Sequence, residues 1–158
     1  MLADMKSTGT PVVSVLCAGS ALALQHEEQH YAALLCAWYG GQAAGTAVAD
    51  VLFGDYNPAG RLPVTFYKTL EQLDGALNKE HEAGQDFENY DMAGRTYRYM
   101  TEAPLYPFGH GLSYSIFTYG DATLTASAIK TGESAYLTIP VTHASGPAGD
   151  EVVQVYVK

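Results

Sequence analysis

The residues of this chain best suited to do chemistry are the five at positions 26 to 30, His-Glu-Glu-Gln-His. They match H-E-x-x-H, in which two histidines four residues apart on one helix face bind zinc and the glutamate acts as general base. A catalytic zinc also needs a third protein ligand. No His or Glu occurs from Tyr31 to Leu70. The pattern therefore favours an acidic, solvated helix start over a metalloprotease site, and we predict no metal ligand.

Two other features could serve catalysis or phosphate binding. Glu27 and Glu28 are adjacent carboxylates, but at a helix N-terminus they are explained by the favourable interaction of negative charge with the helix dipole. Gly40 and Gly41 could seat a phosphate, yet no G-K-[ST] follows and the G-x-G-x-x-G spacing fails. We interpret the two glycines as a tight turn between a strand and a helix, and we predict no cofactor.

Composition limits the partners of the chain. Its 158 residues, with 47% hydrophobic and 16% charged residues, suit a globular protein of one domain or slightly more. The 17 acidic and 8 basic residues give a net charge of −9. Nucleic acids and anionic membranes are held by clustered Lys and Arg, so neither is a predicted partner.

The apolar run PVVSVLCAGSALAL near the N-terminus resembles the core of a signal peptide. The acidic Asp4 and the single Lys6 before it do not give the positive start that a signal needs, so we favour a buried strand at VVSVLCA. The run is also too short to span a bilayer. Cys17 and Cys36 lie in apolar runs, where free thiols are the default, and they leave the redox compartment open.

Hydrophobic patterning predicts alternating strands and helices over residues 11 to 66. The runs VVSVLCA, AALLCAW and RLPVTFY read as strands, and QAAGTAVADVLF has helical spacing that ends at Gly54. Such alternation implies an α/β fold with a mostly parallel sheet and helices on both faces. Residues 67 to 112 are predicted to form a long loop. From Ser113 the segments SAYLTIPVTH and DEVVQVYVK alternate like strands of an antiparallel β-sandwich.

Several long motifs resemble glycoside hydrolase family 3, the β-glucosidases and β-xylosidases. They are AWYGGQAAGTAVADVLFGDYNPAGRLPVTFY, GRTYRYM, PLYPFGHGLSYSIF and GDEVVQVYV, and they occur in the family's order over nearly the whole chain. The resemblance implies that residues 1–112 are the later part of the family's C-terminal α/β sandwich domain. It also implies that residues 113–158 are the first strands of a truncated fibronectin type III-like domain. His110 is a departure, since many relatives have Tyr in this motif.

The resemblance implies an exo-acting retaining β-glycosidase that releases terminal non-reducing xylose or glucose from oligosaccharides. Such hydrolysis uses two carboxyl groups. The family's nucleophile is an Asp in a Ser-Asp-Trp motif of an N-terminal barrel, whereas Trp38 follows Ala37. The acid/base Glu of many members lies upstream of the strand VVSVLCA. We therefore expect no catalytic residue in this chain, an inactive fragment, and an oligosaccharide partner bound through the barrel.

The loop FENYDMAGRTYRYM contains our candidates for substrate contacts, Tyr90, Asp91 and Arg95. Tyrosine faces stack on pyranose rings, and Arg and Asp side chains hydrogen-bond sugar hydroxyls. The alternative is that Arg95 and Arg98 pair with nearby acids while the tyrosines pack the loop onto the sheet.

Specificity, location and assembly are less constrained. The sequence GRTYRY favours xylose slightly, while DVLFGDYNPAGRLP is shared with β-glucosidases. The family implies a periplasmic or extracellular location, and a homo-oligomer is compatible with the sequence. Two other functions stay open: a carbohydrate-binding or interaction module without catalysis and, as the weakest alternative, the zinc protease.

Overall fold

The structure is a computed structural model, and it describes residues 7–72 and 92–157. Its helices and strands are short. In chain order they are β1 (Val13–Leu16), α1 (Gln25–His30), β2 (Ala33–Cys36), α2 (Ala44–Phe53), α3 (Thr96–Tyr99), β3 (Ile116–Tyr119), β4 (Thr123–Leu124), β5 (Leu137–Thr138) and β6 (Val141–Ser145).

The first part of the chain is a β-α-β unit. Strands β1 and β2 pair in parallel, with Val13 opposite Ala33 and Leu16 opposite Cys36. Two parallel neighbours need a crossover connection, and helix α1 lies within it. Leu24, which precedes α1, is buried and anchors the helix start. The strands predicted at these two apolar runs are confirmed, as is their parallel pairing.

Helix α2 confirms the predicted helix and its end. It stops at Gly54, whose φ of 84° is left-handed, a conformation that glycine adopts without steric cost. At the start of α2 the chain turns so tightly that a Cβ on Gly40 would overlap the Cβ of Ala44. The tight turn predicted for the two glycines is therefore present.

The strand predicted at RLPVTFY is wrong. Within the described ranges this segment forms an isolated antiparallel bridge between Phe66 and Tyr106. Leu62 exchanges backbone hydrogen bonds with Gly109 and His110. Pro63 lies between these two contact points, and no continuous ladder joins them in the described structure. The segment thus lines the 105–110 stretch instead of extending the parallel sheet.

The last part of the chain is antiparallel, as predicted. Strand β3 pairs with β6, and β4 pairs with β5. The strand predicted at DEVVQVYVK is not found, because residues 151–157 form no backbone ladder with any other described residue. Side chains hold this segment in place, as described below.

Few large side chains in the described part of the chain are fully enclosed. Phe66 and Leu24 are the buried hydrophobic residues there. Trp38 packs edge-on against Phe66, with 6.2 Å between ring centroids. Across residues 7–72 and 92–157, no helix is both long and apolar enough to cross a membrane.

Candidate functional site

The candidate substrate loop is described from Met92 onward, so the predicted contact residues Tyr90 and Asp91 lie outside the described residues. Arg95 is described. It is half-buried and forms the N-cap of α3, and its backbone N–H donates to the Met92 carbonyl at 3.0 Å. The structure thus places the Arg95 side chain partly within the protein and its backbone in a turn.

Two hydroxyl groups from the 61–67 segment fix the start of α3. The Tyr67 hydroxyl accepts the Thr96 N–H, and Thr65 Oγ1 accepts the Tyr97 N–H, both at 3.2 Å. These donors belong to the first turn of a helix, where N–H groups have no partner within the helix. Thr96 has a φ of 58°, an uncommon conformation for a β-branched residue that needs such support.

An aromatic cluster holds the loop from its other side. The Tyr97 ring stacks on Phe108 with 4.9 Å between centroids, and Tyr156 meets both rings edge-on at 6.0 and 6.4 Å. These are favourable aromatic geometries. Tyr97 is nonetheless 43% exposed. Its ring therefore packs the loop onto the protein, as our alternative interpretation expected, and still presents an accessible edge.

A buried amide joins the 55–61 turn to the later strands. Asn57 Nδ2 donates to Ser115 Oγ at 2.8 Å and to the Pro147 carbonyl at 3.4 Å. Its Oδ1 accepts from Ser113 Oγ at 3.0 Å and from the Tyr114 N–H at 2.9 Å. Asn57 is 7% exposed, so these bonds form largely out of water and satisfy both ends of the amide. We call this group the Asn57 hub.

An ion pair adjoins the Asn57 hub. Arg61 Nη2 donates to Glu151 Oε2 at 2.8 Å, and Arg61 Nη1 donates to the Ala59 carbonyl at 3.0 Å. The Tyr119 hydroxyl donates to the other oxygen of Glu151. This hydrogen bond raises the pKa of Tyr119, because ionised tyrosine would lose it and face a carboxylate. Both carboxylate oxygens of Glu151 are thus engaged in hydrogen bonds.

Ser115 and His143 come close together without forming a nucleophile and base. His143 Nε2 is 3.4 Å from Ser115 Oγ and 3.2 Å from the Pro147 carbonyl. The carbonyl can only accept, so a hydrogen bond between the two requires the tautomer with its proton on His143 Nε2. The Ser115 hydroxyl also donates to the Pro147 carbonyl. Both side chains therefore serve the Asn57 hub and leave no free base beside the hydroxyl.

The H-E-x-x-H residues form α1 as the spacing predicts. The rings of His26 and His30 contact each other at a tilt of 33°, with 4.1 Å between centroids, and His30 Nδ1 lies 2.6 Å from the His26 carbonyl. Glu27 and Glu28 lie in the first turn, where a helix favours negative charge. No cluster of three or more His, Cys, Asp or Glu suited to a metal occurs within residues 7–72 and 92–157.

His110, the departure from the family motif, is accommodated by stacking. Its ring lies 4.6 Å from that of Tyr106, with an interplanar angle of 19°. Burial lowers the pKa of His110, and the nearby Arg61 lowers it further, since both disfavour the imidazolium. A neutral imidazole therefore occupies this aromatic position.

The sequence predicted a role for Arg95, which stays a prediction, and gave no prediction for the Asn57 hub or Arg61. A signal was available in the turn DYNPAGR. Asn before Pro in a turn between a helix and a β-branched run often uses its side-chain amide to bond the backbone. The partners, however, lie 58 and 90 residues away in the sequence, and no local pattern predicts them.

Comparison with known proteins identifies the family of this chain. Residues 1–114 match the glycosyl hydrolase family 3 C-terminal domain. The chain is 47% identical over 157 residues to a xylan 1,4-β-xylosidase of Xylanibacter ruminicola, covering 99% of this chain and 17% of that protein. It is 38% identical to a periplasmic β-glucosidase of Salmonella typhimurium, covering 100% of this chain and 21% of that protein.

A solved structure shares the fold. The β-glucosidase 3B of Thermotoga neapolitana, in complex with glycerol, matches with a TM-score of 0.74 and 29% identity, over 94% of this chain and 21% of that chain. This chain thus spans about a fifth of the length of the relatives it matches. The motifs, the fold and these matches agree, and the chain belongs to glycoside hydrolase family 3, through that family's C-terminal domain.

Proposed function

We propose that this chain acts as part of an exo-acting retaining β-glycosidase that removes terminal non-reducing β-linked xylose or glucose from oligosaccharides. The observation that carries the proposal is the 47% identity to a xylan 1,4-β-xylosidase along 99% of the chain. The lower identity of 38% to a β-glucosidase supports xylose as the preferred sugar. The name of that Salmonella relative supports a periplasmic location.

The proposed division of the chain has two parts. Residues 1–112 form the later part of the α/β sandwich domain, and residues 113–158 form the first strands of a fibronectin type III-like domain. The parallel β1–β2 pair in the first part and the antiparallel pairs in the second support this division. The Asn57 hub then bonds one part to the other.

The proposed chemistry assigns no catalytic carboxylate to this chain. Retaining hydrolysis needs a nucleophile and an acid/base about 5 to 5.5 Å apart. The sequence contains no Ser-Asp-Trp, and Glu151 is engaged by Arg61 and Tyr119. This chain instead contributes the substrate loop, in which Tyr90, Asp91 and Arg95 contact the sugar beyond the bond that is cleaved.

The first experiment assays the 158-residue chain by itself with 4-nitrophenyl β-xyloside and β-glucoside. We expect no hydrolysis above the buffer rate, because even the good leaving group 4-nitrophenol must be displaced by a nucleophile. Hydrolysis by the chain alone would overturn the assignment of catalysis to other residues. Binding of xylobiose in calorimetry without hydrolysis would support the substrate loop and the carbohydrate-binding alternative alike.

A second experiment separates these two functions. A hybrid enzyme is made by replacing the matching segment of the Xylanibacter β-xylosidase with this chain. We expect the hybrid enzyme to hydrolyse the xyloside. Arg95→Met should raise its KM about ten- to a hundredfold while the control Lys130→Met does not, because a charged hydrogen bond to the substrate is worth about 1.5 to 3 kcal/mol. A folded but inactive hybrid, or an Arg95→Met variant with unchanged KM, contradicts the proposal.

A further inference from the structure

The terminal segment, residues 150–157, is held to the protein by side chains at three separate points. Glu151 pairs with Arg61 at 2.8 Å. Gln154 Nε2 donates to the Gly109 carbonyl at 2.8 Å. The Tyr156 ring packs edge-on against neighbouring rings. No backbone ladder to another described residue accompanies these contacts, so their side chains determine where the segment lies.

The third of these points is the substrate loop itself. Tyr156 contacts Tyr97, which is in α3, and Phe108, on which Tyr97 stacks. Tyr97 is two residues after Arg95, at the start of the same helix. Moving Tyr156 would therefore change the packing of the helix whose N-cap is the candidate contact residue Arg95.

Helix α3 is short enough for these contacts to determine its position. It has four residues, well below the length at which a helix is stable by itself. Thr96 has the left-handed φ of 58°, and the helix is fixed by the hydroxyls on one side and the aromatic cluster on the other. Removing one side should leave the first turn of α3 free to open.

We infer that the terminal segment is a clamp that positions the described part of the substrate loop, from Met92 to Met100, with Tyr156 as its positioning residue and Glu151 and Gln154 as the anchors of the segment. This inference rests on the proposed function, because it gives the loop a role in binding sugar. It extends that function by assigning part of the substrate affinity to a segment distant in sequence from the loop.

The clamp is tested first without any substrate, by hydrogen exchange on the 158-residue chain. In Tyr156→Ala we expect the Tyr97 amide, which donates to Thr65 Oγ1, to exchange about two to ten times faster, the range set by loss of an aromatic pair. Tyr156→Phe retains the ring and loses only the exposed hydrogen bond from its hydroxyl to Gln154 Oε1, so it should behave nearly as wild type. The matched control is Tyr136→Ala, since Tyr136 is 70% exposed, and it should leave Tyr97 unchanged.

The amide of Ala37, which donates to the Leu16 carbonyl beyond the β1–β2 ladder, reports whether the fold is intact. Unchanged exchange at Tyr97 in Tyr156→Ala, with Ala37 still protected, would overturn the clamp. So would a Tyr156→Phe variant that behaves like the alanine variant, because the ring would then not be the cause.

Kinetics on the hybrid enzyme then test the link to substrate. We expect Tyr156→Ala to raise KM for the xyloside about two- to tenfold with little change in kcat, and Tyr156→Phe to restore it. Faster exchange at Tyr97 with an unchanged KM would overturn the inference in a different way. That result would show that the clamp holds the loop but that the loop does not contact the sugar. The proposed function would then have failed, while the coupling between Tyr156 and the loop would still stand.

Discussion

Replacing Asn57 by alanine should destabilise the chain, because its buried amide joins the 55–61 turn to the later strands. The side chain is 7% exposed and bonds the backbone or hydroxyls of four later residues. Its three shorter hydrogen bonds, at 2.8 to 3.0 Å, each contribute about 0.5 to 1.5 kcal/mol. The bond to the Pro147 carbonyl, at 3.4 Å, adds little.

The expected loss in unfolding free energy is about 2 to 4 kcal/mol for Asn57→Ala. Ser115 Oγ retains the Pro147 carbonyl as a partner, so it does not carry the full cost of an unsatisfied buried group. Ser113→Ala removes one of the hub's bonds and also the acceptor of the Ser115 N–H, and it should cost about 1 to 2 kcal/mol. Its effect should therefore be smaller than that of Asn57→Ala.

The assay is urea unfolding followed by circular dichroism, with fluorescence of Trp38 as a second probe. Asn57→Ala should lower the midpoint without changing the slope, because the surface exposed on unfolding is the same. A loss below about 0.5 kcal/mol, or a loss no larger than that of Ser113→Ala, would refute the reasoning, since the hub would then not bear on stability.

Three further predictions concern charge, pH and metal. Glu151→Gln should cost about 1 to 2 kcal/mol at low salt in urea unfolding, because Arg61 would exchange a charge-assisted bond for a neutral one; a loss below about 0.5 kcal/mol would contradict this. Burial lowers the pKa of His110 below its ordinary value of 6.5. As the pH falls, His110 is therefore protonated in the unfolded chain before it is protonated in the folded chain. The stability that the neutral His110 contributes is complete above pH 6.5 and is lost as the pH falls through the lower pKa of the folded state. His110→Phe should show a smaller loss of urea midpoint between pH 7.5 and 5.5 than the wild type, and an identical loss would show that His110 is not the group responsible. The chain purified without a tag and measured by plasma mass spectrometry should hold well under one zinc per molecule, and His26→Ala with His30→Ala should not change that content; a stoichiometric zinc lost in the double variant would restore the metalloprotease hypothesis.

Local patterns predicted the elements whose stability is decided by nearby residues. The two apolar runs became β1 and β2, and the helical spacing ending at Gly54 became α2 with a left-handed end. The same reasoning failed at RLPVTFY and DEVVQVYVK. Both runs have strand-forming side chains, but a strand also needs a partner ladder, and neither segment finds a continuous one in the described structure.

The candidate site also has one part that the sequence indicated and one part that it did not. The motif GRTYRYM pointed to Arg95, although Tyr90 and Asp91 lie outside the described residues and their role stays a prediction. The aromatic cluster was anticipated only as packing of tyrosines. Its members come from residues 97, 108 and 156, and nothing in the spacing of these residues indicates that they meet.

The sequence by itself determined the family, the lack of a Ser-Asp-Trp motif, and the elements with clear local periodicity, because these depend on residue types at short separations. The tertiary structure decided which polar groups are joined. Asn57 reaches residues 113 to 115 and Pro147, and Arg61 reaches Glu151. Such bonds depend on how the folded chain brings distant segments together and excludes water between them, and that arrangement follows from packing of the whole chain.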